Sequence, residues 1–295
     1  MLPVCALLLK TFRVGIFALA AITFTHSVQA QEEFQKKIAA IESKLDGRIG
    51  VAILNLHSGD KWTYKADSRF PVSSTFKVQL CGAILAKVDA GKESLNRPIT
   101  FKKSEIVSWS PITEKRVQTG MSVGELCEAT ITMSDNTAAN LLLDMIGGPQ
   151  GLTMFLRKIG DDITRLDRWE TKLNEGVPGD LRDTTTPTAA LGTLEKLLFG
   201  KVLSMSSRKQ LTDWMINDKV ADDLLRTSLP EGWKIGDKSG AGGYGSRSII
   251  AFIMPPNKGP TLVTIYLTEN EVDFSTRNRM IAEIGRLIVE KIQGL

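Results

Sequence analysis

A serine and a lysine three residues apart are the side chains best suited to chemistry in this sequence. Ser74 and Lys77 fall in an apolar stretch, residues 73–90, which predicts a buried helix that ends before Gly91. Positions three apart share one face of a helix, so the Lys77 amine can lie beside the Ser74 hydroxyl. An adjacent base makes serine a nucleophile, and the N–H groups at a helix start can stabilise an oxyanion. Taken alone, the pair also fits a non-catalytic interpretation, in which the serine caps the helix and the lysine is an ordinary solvated charge.

The histidine content restricts which group could activate a serine. The chain has two histidines, His26 and His57. His26 lies in an N-terminal segment that we expect to be removed, and His57 lies in a predicted hairpin turn, where we expect no special role. A Ser-His-Asp triad would have to use His57, and a multi-histidine zinc site is excluded. We therefore expect a lysine or carboxylate base, no metal and no cofactor.

Two further short stretches could bind and protonate a substrate. In Ser134-Asp135-Asn136, between two predicted helices, Ser134 could pass a proton to a leaving nitrogen and Asn136 could bind a carbonyl group. A helix cap also explains this stretch. In Lys238-Ser239-Gly240, on a predicted strand, the amine and hydroxyl could bind a carboxylate, and Gly240 would allow a close approach. The alternative is an ordinary strand end before a glycine turn.

An acid and an amide in an irregular segment could hold a water molecule. Residues 165–183 lack a clear periodicity, and long irregular loops in compact domains are often functional. Glu170 and Asn174 lie four apart within this segment. A solvated loop acid is the alternative interpretation of Glu170.

The predicted strands lie near both ends of the chain, with helices between them. The predicted strands are 48–56, 61–65, 233–239, 247–253 and 261–268, and the predicted helices include 123–132, 137–145 and 152–159. This pattern predicts an α/β fold in the broad sense (α+β), in which an antiparallel sheet from both ends is flanked by terminal helices and an all-helical lobe is inserted. We assign residues 31–65 and 215–295 to the α/β lobe and residues 66–214 to the helical lobe.

The first 30 residues have the composition of a secretory signal. Lys10 and Arg13 precede an apolar run, Val14–Phe24, and Val28-Gln29-Ala30 is a small-x-small cleavage pattern. A membrane anchor is the alternative, but the run has only about half of the ~20 residues that span a bilayer. We expect cleavage after Ala30 and no membrane association afterwards. Because the acids and bases are interspersed around a net charge of +4, we expect no nucleic-acid partner.

Two cysteines, Cys81 and Cys127, remain after this cleavage. An exported protein with two cysteines is expected to form one disulfide. Such a bond would stabilise the fold by roughly 4 kcal/mol in the chain-entropy model, and usually by less. Two buried free thiols are the alternative, because apolar neighbours surround both residues.

Taken together, the short stretches resemble a known signature. In that order, Ser-x-x-Lys, Ser-Asp-Asn and Lys-Ser-Gly resemble the motifs of serine β-lactamases and penicillin-binding proteins. The longer surrounding sequences are similar to class A β-lactamases of the TEM, SHV and carbenicillinase type, over about residues 35–293. These sequences are Phe70–Lys77, Met133–Leu143, Arg165–Glu170, Arg182–Thr185 and Asp237–Gly242. The resemblance implies the two-lobed serine β-lactamase/transpeptidase-like fold, with the active site between the lobes.

The resemblance also implies catalytic roles. Ser74 would attack the lactam carbonyl, with Lys77 and Glu170 as the alternative bases for that step. The backbone N–H groups of Ser74 and Ala241 would form the oxyanion hole. Ser134 would pass a proton to the lactam nitrogen.

Further residues are implied to hold water and substrate. Glu170 and Asn174 would activate the water that releases the product. Asn136 would bind the acylamide side chain, and Trp109, which could equally be a core residue, would pack against the substrate. The carboxylate-binding end would comprise Lys238, Ser239, Gly240 and Arg247. The two cysteines match the disulfide of the TEM and SHV branch.

The resemblance implies a β-lactamase that acts on penicillins and some early cephalosporins. Such an enzyme would be a monomer in the bacterial periplasm and would confer antibiotic resistance. A cell-wall transpeptidase or carboxypeptidase shares the three motifs, but Glu170 with Asn174 argues against it. A β-lactam sensor domain would normally be tethered to a membrane helix. A general esterase would carry a Gly-x-Ser-x-Gly elbow, which is missing around Ser74.

Overall fold

A computed structural model describes residues 29–294 of the chain. These residues form nine β-strands, four of them only two residues long, and eight α-helices. The strands are β1 (Arg48–Asn55), β2 (Lys61–Tyr64), β3 (Phe70–Pro71), β4 (Pro98–Ile99), β5 (Met121–Ser122), β6 (Thr184–Thr185), β7 (Lys234–Ala241), β8 (Arg247–Met254) and β9 (Thr261–Thr268). The helices are α1 (29–45), α2 (Phe76–Asp89), α3 (Val123–Thr132), α4 (Asn136–Asp144), α5 (Gly148–Lys158), α6 (Pro187–Leu198), α7 (Met205–Ile216) and α8 (Phe274–Gln293).

Five of the strands form one antiparallel sheet in the order β2-β1-β9-β8-β7. β1 pairs with β9 from Arg48↔Thr268 to Asn55↔Thr261, so the two ends of the chain meet in the middle of the sheet. Helices α2 to α7 are inserted between β2 and β7. The predicted α/β (α+β) architecture is therefore confirmed. The lobe boundaries at 65/66 and 214/215 stay a prediction.

The three central strands, β1, β9 and β8, are buried on both faces of the sheet, which explains why they are apolar along most of their length. Alternate residues of β1 point to opposite sides. Ile49, Val51 and Ile53 pack in a core with α1 and α8, whereas Ala52 and Leu54 belong to the core shared with the inserted helices. The same alternation divides β8 and β9 between the two cores. The sheet thus separates the terminal helices from the helical lobe, with β7 at its edge.

The predicted signal segment falls almost wholly outside the described residues, which begin at residue 29. Within residues 29–294, no helix combines the length and the apolar character that crossing a membrane requires.

The two cysteines are adjacent in the core but are not joined in this structure. Cys81, on α2, and Cys127, on α3, are both buried free thiols. The Cys81 Sγ lies 3.7 Å from the Cys127 carbonyl oxygen, to which it donates. The structure thus contains two buried free thiols, which is the alternative to the predicted disulfide, and the disulfide is absent from it. Both thiols lie in the apolar core, an environment in which a free cysteine behaves as a small hydrophobic residue.

Candidate active site

Ser74 lies in a 3₁₀ turn, Ser73–Thr75, that leads directly into α2. The Thr75 hydroxyl donates to the Val72 carbonyl at 2.6 Å, and the Val72 N–H donates to the Asp183 carbonyl at 2.9 Å. These bonds fasten the turn to the segment before β6. The Ser74 side chain is half-buried and accessible from the cleft described below.

Lys77 connects Ser74 to the rest of the site. Its Nζ donates to Ser74 Oγ at 3.0 Å, to the Ser134 carbonyl at 2.8 Å and to Ser134 Oγ at 3.2 Å. It also donates to Asn136 Oδ1 at 2.6 Å and lies 3.1 Å from Glu170 Oε1. The side chain is fully buried, and this burial lowers the pKa of Lys77 although the Glu170 carboxylate acts in the opposite direction. The arrangement favours an amine that exchanges protons with its neighbours.

The Ser134-Asp135-Asn136 stretch combines the two roles that its residue types allow. Asp135 caps α4 through the Ala138 N–H at 2.9 Å and accepts two more backbone N–H groups, from Ile112 and Thr113. This anchoring holds Ser134 at a positive φ of 56°, a strained conformation for a serine. Asp135 is therefore the residue that caps α4, and the Ser134 hydroxyl is available to accept a hydrogen bond from Lys77.

Glu170 is held by both its side chain and its backbone. Asn174 Nδ2 donates to Glu170 Oε2 at 2.6 Å. Asn140, on α4, donates to the Glu170 carbonyl and accepts from the Glu170 N–H, both at 3.0 Å. Glu170 Oε1, beside Lys77, accepts no well-aligned hydrogen bond from the described residues. One carboxylate oxygen is thus tied and the other has an open lone pair in the site.

The segment that carries Glu170 is tied together at its ends. Arg168 Nε lies 2.5 Å from Asp183 Oδ2, and Asp183 Oδ1 accepts the N–H groups of Asp167 and Arg168 at 2.7 and 3.0 Å. Arg168 also pairs with Glu175. Because Asp183 is buried, these contacts hold the loop from 165 to 183 as one closed unit.

β7 passes along the Ser74 turn at close range. A Cβ at Gly240 would lie 3.0 Å from the Ser74 backbone nitrogen and 2.6 Å from Ser248 Oγ, so a side chain cannot fit there. Ala241 follows at the half-buried end of the strand. Beyond it, the Gly243 N–H donates to the Asn174 carbonyl at 2.8 Å, which joins this turn to the loop.

The other end of the site is strongly basic. Lys238 is fully buried, and Arg247, on β8, is nearly so. Arg247 Nη1 donates to the Gly240 carbonyl at 3.1 Å, and its Nε donates to Asn278 Oδ1 at 2.8 Å. Its guanidinium carbon lies 4.7 Å from the centre of the Phe274 ring. Burial lowers the pKa of Lys238 to about 8 and that of Arg247 to about 10.

A cleft of about 560 Å³ joins these groups. Trp109 is 60% exposed at its edge, and its Nε1 donates to the Met133 carbonyl at 3.0 Å, so it is not the core residue that we weighed as an alternative. Lys77, Glu170 and Lys238 lie buried beneath this surface. The predicted residues on the cleft wall are Ser74, Trp109, Ser134, Asn136, Asn174, Ser239, Gly240, Ala241 and Arg247.

Several contributors were not assigned from the sequence. Phe274 and Asn278 orient Arg247 from α8, and Asn140 holds Glu170. Asn140 follows Asn136 by one helical turn, a spacing that could have suggested a shared face. The sequence has no comparable signal for Phe274 or Asn278. Among residues 29–294, no group of three or more His, Cys, Asp or Glu side chains is arranged to hold a metal ion.

Comparison with known proteins agrees with this geometry. Residues 33–292 match the model of the β-lactamase enzyme family. The structure of an ancestral class A β-lactamase, GNCA, is 54% identical, covers 88% of this chain and 99% of its own, and superposes with a TM-score of 0.87. PenP from Rhodopseudomonas palustris, a proposed class A β-lactamase, is 46% identical, with coverages of 88% and 99% and a TM-score of 0.86. The chain therefore belongs to the β-lactamase enzyme family, within class A.

Proposed function

We propose that this class A β-lactamase hydrolyses penicillins and some early cephalosporins through an acyl-enzyme on Ser74, with Glu170 assisting its hydrolysis. The observation that carries the proposal is the position of Lys77 Nζ, within 3.2 Å of Ser74 Oγ, Ser134 Oγ and Glu170 Oε1. A nucleophile, a proton donor and a carboxylate are thereby connected through one buried amine, as covalent hydrolysis without histidine requires.

In the acylation step, Ser74 Oγ bonds to the lactam carbonyl carbon and loses its proton to a base. Lys77 and Glu170 are the two candidates, since both lie beside the nucleophile. The backbone N–H groups of Ser74 and Ala241 stabilise the oxyanion. When the carbon–nitrogen bond breaks, Ser134 gives its proton to the nitrogen and recovers one from Lys77, 3.2 Å away. Lys77 passes on the proton that left Ser74, which it holds itself or receives from Glu170 at 3.1 Å.

In the deacylation step, a water molecule attacks the ester carbonyl carbon. Glu170 takes a proton from this water through Oε1, and Asn174 keeps the carboxylate oriented through Oε2. The carbon–oxygen bond to Ser74 then breaks, and the proton taken by Glu170 returns through Lys77 to the Ser74 oxygen, which restores the carboxylate and the hydroxyl and releases a ring-opened acid. The open lone pair of Oε1 supports this role.

The cleft has a place for each end of a penicillin. Asn136 and the exposed face of Trp109 receive the acylamide side chain. Lys238, Ser239 and Arg247 supply a cationic and hydroxyl-bearing end for the carboxylate. Between them, the turn at Gly242 and Gly243 lies against Asn174, where a Cβ at 242 would come within 2.7 Å of the Asn174 carbonyl oxygen. Such a closed edge favours compact side chains over oxyimino ones.

We further propose that the enzyme is exported to the bacterial periplasm after loss of residues 1–30, and acts there as a monomer that confers resistance. The basic and apolar composition of the N-terminal segment supports export. Expression in a susceptible bacterium should raise the penicillin concentration that it survives, whereas a chain lacking residues 2–30 should not.

Replacement of Glu170 tests the mechanism. Glu170→Ala should still acylate but should trap penicillin on the protein as an adduct visible by intact-mass spectrometry. Ser74→Ala is the matched control and should give no adduct. Rapid clearance of the adduct from E170A, or labelling of S74A, would contradict the assigned roles. Side-by-side hydrolysis of a penicillin, an oxyimino-cephalosporin and a carbapenem tests the spectrum, with the penicillin expected to be fastest.

A further inference from the structure

An acid beneath the basic end of the cleft has no role in the mechanism above. Asp218 lies in the segment that follows α7, and its side chain is fully buried. Its Oδ1 accepts the Val220 N–H at 2.6 Å. Its Oδ2 has no hydrogen-bond partner in the described structure, although a buried carboxylate oxygen is costly when it is unpaired. That oxygen lies 3.7 Å from Lys238 Nζ.

Lys238 has no other acid at this distance among residues 29–294. Its Nζ donates to the Ser239 carbonyl at 3.1 Å. The neighbouring acid along the chain, Asp237, is instead held by Arg226 through two hydrogen bonds of 2.9 and 3.1 Å. Asp218 is therefore the acid that is placed to pair with Lys238. Burial raises the pKa of the Asp218 carboxyl, and the charge of Lys238 acts in the opposite direction, so each partner favours the ionised form of the other.

Burial is the largest influence on the protonation of Lys238 and acts against it, and the neighbouring cations act in the same direction. Lys77, from α2, and Arg247, from β8, act to lower the pKa of Lys238, and burial lowers it further. Asp218 and Asp237 act in the opposite direction, with Asp218 the stronger of the two. An opposite charge at this distance favours the charged form of an amine.

We propose that Asp218 is a positioning residue that holds Lys238 protonated and in place, so that carboxylate binding depends on an acid that does not line the cleft. The inference rests on the proposed binding of the substrate carboxylate by Lys238. Substrate binding requires the ammonium form of Lys238, so affinity falls as pH rises through the pKa of Lys238. Removing the Asp218 charge moves that fall to lower pH.

The test is the pH dependence of penicillin hydrolysis by Asp218→Asn, which keeps the shape and removes the charge. The alkaline limb of the plot of kcat/KM against pH should shift down by about one pH unit. At pH values above both limbs, kcat/KM of the variant should therefore be about tenfold lower than that of the wild type. The loss should appear as a higher KM with kcat nearly unchanged, and rates near pH 6 should approach those of the wild type. A purely structural role for Asp218 would lower activity at every pH.

Two comparisons make the test specific. Asp213→Asn is the matched control, because Asp213 is a surface acid on α7 that pairs with Lys209, and it should leave the profile unchanged. Lys238→Arg replaces the amine with a group that stays charged throughout. The alkaline limb should therefore move out of range in K238R, and adding D218N should not restore it.

The outcomes distinguish a failure of the role proposed for Asp218 from a failure of the proposed function. An unshifted limb in D218N, or a limb that persists in K238R, overturns the role of Asp218. The K238R measurement applies even if D218N fails to fold. If the wild type hydrolyses no penicillin at any pH, the proposed function itself is wrong, which is a different result from a normal rate with an unshifted limb.

Discussion

At the scale of single residues, the proposed chemistry depends on the amine of Lys77, which has no contact with solvent. Five oxygen atoms lie within 3.2 Å of its Nζ, whereas an ammonium has three hydrogens to donate. Some of these contacts must therefore alternate. The hydroxyls of Ser74 and Ser134 can exchange protons with the same nitrogen while it moves very little.

Removing this amine should block acylation rather than deacylation. Lys77→Met keeps the length of the side chain but leaves Ser74 without its hydrogen-bonded amine, so we expect the acylation rate to fall by about 10²- to 10⁴-fold. Rapid-mixing measurements should show no trapped adduct, in contrast to Glu170→Ala. Lys209→Met, at an exposed position of α7, is the control. Acylation of K77M at the wild-type rate would contradict the assigned role.

At the scale of elements, the site depends on three close approaches between segments that have no regular pairing. The Ser74 turn is fastened to the segment before β6, β7 runs against that turn, and the turn after β7 binds the loop of residues 165–183. Gly240, Gly242 and Gly243 allow these contacts because a Cβ would clash with backbone or hydroxyl atoms. The loop in turn is closed by Arg168 and Asp183.

Breaking that closure should affect both stability and deacylation. Asp183→Asn leaves the Arg168 guanidinium without its buried partner, so we expect the free energy of unfolding to fall by about 3–5 kcal/mol. Deacylation should slow more than acylation, because Glu170 is on the loop and Ser74 is not. Denaturant titration and single-turnover kinetics measure the two effects.

A surface pair on the same loop provides the comparison. Asp180→Asn disturbs the pair of a half-buried acid with the exposed Arg182 and a longer contact of 3.7 Å with Arg168, and we expect a change below about 1 kcal/mol. If D183N and D180N behaved alike, the closure of the loop would not depend on the buried pair.

At the scale of the whole molecule, the sheet divides two cores, and the cleft lies where its β7 edge meets the helical lobe. Cleft residues come from positions as far apart as Ser74 and Asn278, so no fragment contains the site. The inserted helices pack on α2, and α2 carries both Lys77 and Cys81. Rigidity of α2 is therefore a property of the entire lobe.

The predicted disulfide between α2 and α3 belongs to this scale. Protein exported to an oxidising compartment should show no titratable thiol after unfolding, because Cys81 and Cys127 would be joined. Cys127→Ala should then lower the stability of the exported protein by up to ~4 kcal/mol, and should lower that of the reduced protein by much less. Two free thiols in the unfolded exported protein would show that the prediction is wrong and that the buried thiols of the structure persist.

Element types followed from local patterns more reliably than element boundaries. The strand Thr261–Thr268 and the helix Val123–Thr132 occur as predicted. Gly148 and Pro149, which lie between two predicted helices, belong to the first turn of α5, because proline is well accommodated there. The predicted start of this helix at residue 152 is therefore four residues late, since the residues before an apolar period can still be helical.

The sequence by itself determined the strand and helix types, the pairing of Ser74 with Lys77 along one turn, and the small number of histidines. Each of these depends on neighbours a few positions away or on composition. Only the tertiary structure decided that Glu170 lies beside Lys77, that Asn140 holds Glu170, and that Lys238 lies above Asp218. Such contacts join distant segments, and their distances result from how the sheet, helices and loop pack, which no local pattern encodes.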